Sequence, residues 1–447
     1  MSTPPLLEPR LQRRYQQLVQ EQIAAVQPVA AGLRALPGEA EAFASTQAAW
    51  RFYHNDQVSL TQLSQPLLEH ARQAMAESTK SYALVVHDWS QLHFNDHDSK
   101  LDRIALSQAT DLGYKLQSAL LISDRTGDPL APVYHGLQAA DGVHSSSSGQ
   151  IEPPLSQLDN LAPVMAFVEQ LDWKRPAVHI IDAEADSIAH FRHWHQAGYL
   201  FVVRGDDCNL VKYANETMSL QDVRTRILPH LRLTREVKYQ GQAARQFVAE
   251  TTVTITRKAK LQRHGKKGPR TILSGEPLSL RLIVAEVRND QNEVLACWYL
   301  LTNVPSNAIA DTIALWYYWR WLIETYFKLL KGAGQQLEHW QQETAAAVTR
   351  RLLVTSMACV LVWQLARSTA PQAEQVRKVL IRLSGRQMKH GAPFTKPALL
   401  AGLWVFLAIA DVIDHVDFQE IKRLMDQIIP KPTPQPYNNA SPDPPLM

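Results

Sequence analysis

Cysteine is scarce: three residues in 447, Cys208, Cys297 and Cys359, far apart and odd in number. That excludes a disulfide scaffold and any Cys-based zinc ribbon, and it fits a reducing compartment with buried thiols. Charge of one sign is also missing: 46 Lys and Arg face 43 Asp and Glu, a formal net charge of +3. A balance this even permits nucleic-acid binding without arguing for it, so that argument needs local clusters. Long apolar runs are absent too. The long uncharged stretch 352–366 includes Thr, Ser and Gln, and the start MSTPPLLEPRLQRR has no apolar segment of the signal-peptide kind. The expectation is a soluble cytoplasmic protein with no membrane partner. No internal repeat is visible.

What is present divides by period. Residues 8 to about 80 carry helical signals, with Arg10, Arg13 and Arg14 ahead of an amphipathic run. Those arginines are either a DNA-contacting front or an ordinary solvated helix face. From 81 the pattern changes to short apolar strands. SYALVVHDWSQLHF is read as a strand ending at Asp88, and YKLQSALLIS and PLAPVYHGLQA as two more strands joined by the turn DRTGDP. HSSSSGQIEPP reads as a loop. AVHIIDAEADSIAHFRHWHQAGYLFVVRG then gives a strand ending at Asp182, a helix, and a strand ending at Arg204. This alternation predicts an α/β fold with a mixed sheet.

Residues 205–298 alternate as antiparallel strands do and form a β-rich insertion. Within it, Arg257, Lys258, Lys260, Arg263, Lys266, Lys267 and Arg270 form a run with no acidic residue. It is either a solvated hairpin tip or a contact for nucleic-acid phosphates. Helices are expected near 343–368, 371–383, 396–411 and 418–428, before a tail with seven of the 26 prolines.

YYWRWLIETYFKLLK, from Tyr317, carries the chemistry. At about 100° per residue one face of this stretch is apolar, while Tyr317, Arg320, Glu324, Lys328 and Lys331 fall along one edge. Taken alone, that edge could simply be solvated, with Glu324 and Lys328 as an i,i+4 pair. Asp88 and Asp182, however, stand at the carboxyl ends of apolar strands, where open α/β sheets place function, though an aspartate there also caps helices. Three carboxylates brought together repel unless divalent cations neutralise them. Hard oxygen donors suit Mg²⁺ or Mn²⁺, and a pair of such ions activates water or a 3′-hydroxyl against a phosphodiester.

The spacing Tyr317-x2-Arg320-x3-Glu324-x6-Lys331 resembles the Tyr-Arg-Glu-Lys signature of DDE transposases of the insertion-sequence-4 type. HDWSQLHF and IIDAEADS with YLFVVRG resemble the family's two Asp blocks, AAWRFYHNDQVS its N-terminal recognition domain, and WYLLTNVP the strand before the signature. The resemblance covers roughly residues 8 to 365. It implies a ribonuclease H-like catalytic core interrupted by a β-strand insertion and flanked by helical N- and C-terminal regions. On that reading 1–78 is a helical DNA-recognition domain, 79–204 and 299–368 are the two parts of the core, and 205–298 is the insertion. Residues 369–429 are C-terminal helices and 430–447 a disordered tail.

The implied activity is cut-and-paste transposition: cleavage at transposon ends through a hairpin, then strand transfer into target DNA. The implied partners are transposon-end DNA, target DNA and a second copy of the chain in a DNA-bridged homodimer, in a bacterial cytoplasm. Asp88, Asp182 and Glu324 would be the catalytic and metal-binding triad for two Mg²⁺ ions, with Mn²⁺ substituting. Tyr317, Arg320 and Lys331 would contact end phosphates with help from Arg204, and Trp298 would stack a flipped base. Glu184 and Asp186 are expected to be structural. The sequence departs from the family at Trp89, where many relatives have a small hydroxyl residue, and at Glu8-Pro9-Arg10, where an Asp-Pro-Arg start is common. Two other readings stay open: a silent or domesticated DNA-binding copy, and a metal-dependent nuclease without strand transfer.

Overall fold

In a computed structural model, described for residues 8–24, 47–152, 156–260, 272–331, 335–386, 388, 394–415, 419 and 423, helices flank one large sheet. The basic positions Arg263, Lys266, Lys267 and Arg270, most of the expected helix at 418–428 and the proline-rich tail lie outside the described residues. The chain opens with α1 (Pro9–Ala24), a helical stretch at 47–53 (α2) and α3 (Leu60–Ser78). Ser59 caps α3 by accepting a hydrogen bond from the Gln62 amide at 3.4 Å.

Strands β1 (Ala83–His93), β2 (Ile104–Ala105), β3 (Leu112–Ile122), β4 (Pro129–Ala139), β5 (Gly142–Ser145) and β6 (Gly149–Ile151) follow. All of these pairings are antiparallel: β1 with β3, the short β2 with the start of β3, β3 with β4, β4 with β5 and β5 with β6. The stretch HSSSSGQIEPP is therefore not a plain loop, because its first half closes the β5–β6 hairpin. Gly149, at φ +80°, supplies the left-handed residue that this turn needs.

Then come α4 (Leu161–Gln170), β7 (Ala177–Ile181), α5 (Ile188–Gln196) and β8 (Leu200–Gly205). AVHII and LFVV are apolar without alternation because they are inner strands covered on both faces. β7 runs parallel to β1 and to β8. The mixed α/β expectation is met, although most strand pairs are antiparallel.

Residues 205–298 hold β9 (Leu210–Tyr213), β10 (Glu216–Ser219), α6 (Leu220–Ile227), β11 (Arg232–Tyr239), β12 (Gln242–Ile255), β13 (Ala259–Lys260), β14 (Ile272–Leu273), β15 (Leu278–Arg288) and most of β16 (Val294–Thr302). All but β13 and β14 extend the same sheet, because β16 hydrogen-bonds β8 from Thr302↔Val202 to Tyr299↔Gly205.

The C-terminal part is helical: α7 (Ala310–Tyr318), α8 (Trp321–Leu330), α9 (Ala345–Arg367), α10 (Pro371–Leu383) and α11 (Lys396–His415). Among the described helices α9 alone is long and apolar enough to cross a bilayer, but nearly all of it is buried within the protein. It packs against α1, α3 and β4.

The signature stretch is not one helix. Between α7 and α8 the hydrogen bonds tighten to i→i+3, from Arg320 N to Tyr317 O, Leu322 N to Trp319 O and Ile323 N to Arg320 O. The β3–β4 turn meets the chain at this point. A Cβ on Gly127, whose φ is +74°, would stand 2.5 Å from the Trp319 ring. Gly127→Ala is expected to cost roughly 1–3 kcal/mol through backbone strain and overpacking, read as a lower urea midpoint at unchanged slope.

Candidate active site

Strand register builds the site. His87 is the last residue of β1 paired with β7, opposite Ile181, and Ile181 pairs in turn with Val203 of β8. One step further along three neighbouring strands stand Asp88, Asp182 and Arg204. Side chains alternate faces along a strand, so these three share the face of Val86, Ile180 and Val202, the side on which α7 and α8 lie. Asp88 is not a strand end, as β1 continues to His93 in its pairing with β3. It marks the row where the parallel pairing stops.

α7 and α8 bring Tyr317, Arg320 and Glu324 over this row. The Arg320 guanidinium is 5% exposed and sits between all three carboxylates. Its Nη1 is 3.1 Å from Asp88 Oδ2, and its Nη2 is 2.9 Å from Asp182 Oδ2 and 3.0 Å from Glu324 Oε1. The Arg204 Nε is 3.0 Å from Asp182 Oδ1, and the Tyr317 hydroxyl donates to the same oxygen at 3.0 Å. Three carboxylates thus meet two guanidiniums, leaving one net negative charge. Burial pushes the Asp88 carboxyl up to about 6. Arg320 and the Trp89 amide oppose the shift, while Asp182 and Glu184 add to it. Burial raises the Tyr317 phenol, and the Asp182 charge raises it further, so it stays a donor.

The other anticipated residues are distributed unevenly. The Lys331 ammonium closes the far end of α8, donating to the Gln91 carbonyl and lying 3.4 Å from Glu338. Trp298 is 6% exposed, edge-on to Tyr317 at 5.4 Å between ring centroids, so as folded it offers no open face to a base. Trp321, which the sequence reading passed over, is 46% exposed beside Arg320. Its signal was its place on the polar edge of the wheel, about 40° from Tyr317 and beside Lys328. Arg257 is tied down, its Nη2 donating to Asn209 at 2.6 Å, while Lys258 is exposed. Lys260 ends the short strand β13. Asp186 is structural: it accepts from the Asp206 amide at 2.8 Å and from the Asn209 side chain, closing the loop after β8. Arg10, Arg13 and Arg14 line a groove of about 760 Å³ between α1 and α2. Arg51 joins them from RFYHNDQ on α2, and the Gln17, Asn55, Gln57 and Gln62 amides lie around them.

As the side chains stand, no group of three or more His, Cys, Asp or Glu among the described residues is spaced to hold a metal ion. The guanidinium accounts for this. Its nitrogens keep carboxylate oxygens 2.9–3.1 Å away, whereas Mg²⁺ draws oxygens to about 2.0–2.1 Å. The donor set itself fits a hard divalent cation, since Asp182 and Glu324 already aim one oxygen each at a single point, Nη2.

No family model matches the sequence, and no curated protein matches it either. Among solved structures, the chain is similar to a piggyBac transposase in its synaptic complex with hairpin DNA, at 9% identity and a TM-score of 0.35, over 96% of this chain and 78% of that one.

Proposed function

We propose that this chain is a cut-and-paste DNA transposase with a ribonuclease H-like core, in which Asp88, Asp182 and Glu324 hold two Mg²⁺ ions. The observation that carries the reading is the convergence of three carboxylates, from two neighbouring parallel strands and one helix, on one cationic point. The strand order β4-β3-β1-β7-β8, antiparallel up to β1 and parallel beyond it, supports the core assignment.

Divalent cations held there supply a nucleophilic water or 3′-hydroxyl and neutralise the leaving oxygen. The chain's own groups divide the remaining work. Tyr317 and Arg204 hold Asp182 in one orientation through its Oδ1, leaving Oδ2 facing inward. Arg204 and Lys331, at the two margins of the cluster, offer cationic contacts to the DNA backbone. The arginine groove at α1 and α2 binds duplex further from the cut. Two ends must be cut together, so the working form is a dimer bridged by DNA, in a bacterial cytoplasm, and cutting passes through a hairpin.

The test is a labelled duplex carrying the DNA that flanks the gene, incubated with the purified chain, Mg²⁺ or Mn²⁺ and a supercoiled target. Nicks that require the metal, a hairpin, and joined products with 3′-ends in the target are expected. Cutting without joining would leave a nuclease, and binding without cutting in either metal would leave a DNA-binding relic.

A further inference from the structure

Resting on that reading of the carboxylates, we infer that Arg320 is a built-in counter-ion: it occupies the cation position in the free protein and must leave before divalent cations enter. Three ion pairs of 2.9–3.1 Å hold a guanidinium that is 5% exposed, so in this state it is a ligand of the carboxylates and not of any outside partner. The two occupants exclude one another. A divalent cation bound by Asp182 and Glu324 would stand where Nη2 now stands, and the oxygens would close in by about 1 Å around it. The guanidinium would then be a second positive charge at the same point.

The departing side chain has a route. Its Cζ lies 5.9 Å from the buried Tyr317 ring and 5.8 Å from the Trp321 ring, which is 46% exposed, so an aromatic face that reaches solvent stands beside it. Its Nε is buried without a hydrogen-bond partner, so moving outward costs no bond at that atom. Once outside, a planar fork of donors beside Trp321 meets its best complement in a phosphodiester. Cation entry and capture of DNA by Arg320 thereby become one coupled event. By linkage, DNA tightens cation binding by the same factor that cations tighten DNA binding.

Mn²⁺ binding to the full chain, measured from the loss of the free-ion paramagnetic resonance signal, tests this without any cutting. The wild type is expected to bind Mn²⁺ weakly alone and about tenfold or more tightly once a short duplex is added. Arg320→Met should bind Mn²⁺ tightly without DNA, the duplex adding little, and Arg320→Lys should fall between them. Arg320→Met should also melt lower than wild type without metal and recover with Mn²⁺, which separates a folded variant from a collapsed one. Equal Mn²⁺ affinity in wild type and Arg320→Met, with and without duplex, would overturn the counter-ion role alone. Failure of every form, with duplex present, to bind Mn²⁺ would overturn the carboxylate reading beneath it.

Discussion

Glu324→Gln is expected to lower metal-dependent cutting of an end duplex by about 10³-fold or more, while the melting temperature moves by no more than about 3 °C. The two halves of this result have different causes. A neutral amide oxygen still accepts from Arg320, so the 3.0 Å contact with Nη2 keeps a partner and the α8 face stays packed. The side chain is 29% exposed, so the lost charge is partly screened and contributes little to stability. What disappears is an anionic oxygen donor at the one point shared with Asp182, and a hard divalent cation depends on that charge. Initial rates on a denaturing gel, with calorimetric melts on the same samples, check both halves. A variant cutting within tenfold of wild type would remove Glu324 from the chemistry.

The second large effect concerns acid. His135 is fully enclosed by β4, α8 and α9. Its Nδ1 is 2.9 Å from Ser118 Oγ, and its Nε2 is 3.1 Å from both Ser356 Oγ and the Tyr326 hydroxyl. Burial lowers its pKa from 6.5 to about 3. The sign follows from linkage. The unfolded chain takes up a proton near 6.5 and the folded chain does not, so the stability is whole above pH 6.5 and is lost progressively as pH falls toward 3. At about 1.36 kcal/mol per unit, His135 accounts for roughly 2–3 kcal/mol lost between pH 6.5 and 4.5. His87 and His179, 2.8 Å apart in the core, are shifted in the same direction by burial and add to the loss. Urea unfolding of wild type and His135→Gln at pH 7.5 and pH 4.5 should show the gap between the two pH values narrowing in the variant. An unchanged gap would mean that His135 is charged in the folded protein.

Local composition made most elements legible, because apolar strands and amphipathic helices declare themselves by period. PLAPVYHGLQA is a strand over those very residues, and β15 lies in the region whose alternation predicts antiparallel strands. Two kinds of information were not local. The first is register: nothing in HDWSQLHF tells that its pairing partner changes at Asp88, since that depends on where β7 stops. The second is the partner of a charge. The helical wheel put Arg320 and Glu324 on one edge and could not tell whether that edge faced solvent, DNA or the protein's own acids. The answer lay partly in Asp88, 232 positions away. Trp298 shows the same limit, since an aromatic residue in an apolar strand carries no mark of how far its face is covered. The break after Tyr318 has no local mark, because Trp319 and Arg320 are acceptable helix formers, and it lies where the Gly127 turn packs against Trp319.

Parallel pairing of β1 with β7 sets Asp88 beside Asp182 early in the chain, and the guanidinium that reconciles them arrives much later, at position 320. As the chain is synthesised, that strand pair would form against the mutual repulsion of two acids whose counter-ion has not yet emerged. On the proposed reading, the cutting centre would be complete only once α8 has been made and docked, and a chain interrupted before Glu324 would carry two of its acids but no blade. On the proposed reading, unfinished copies would leave DNA intact.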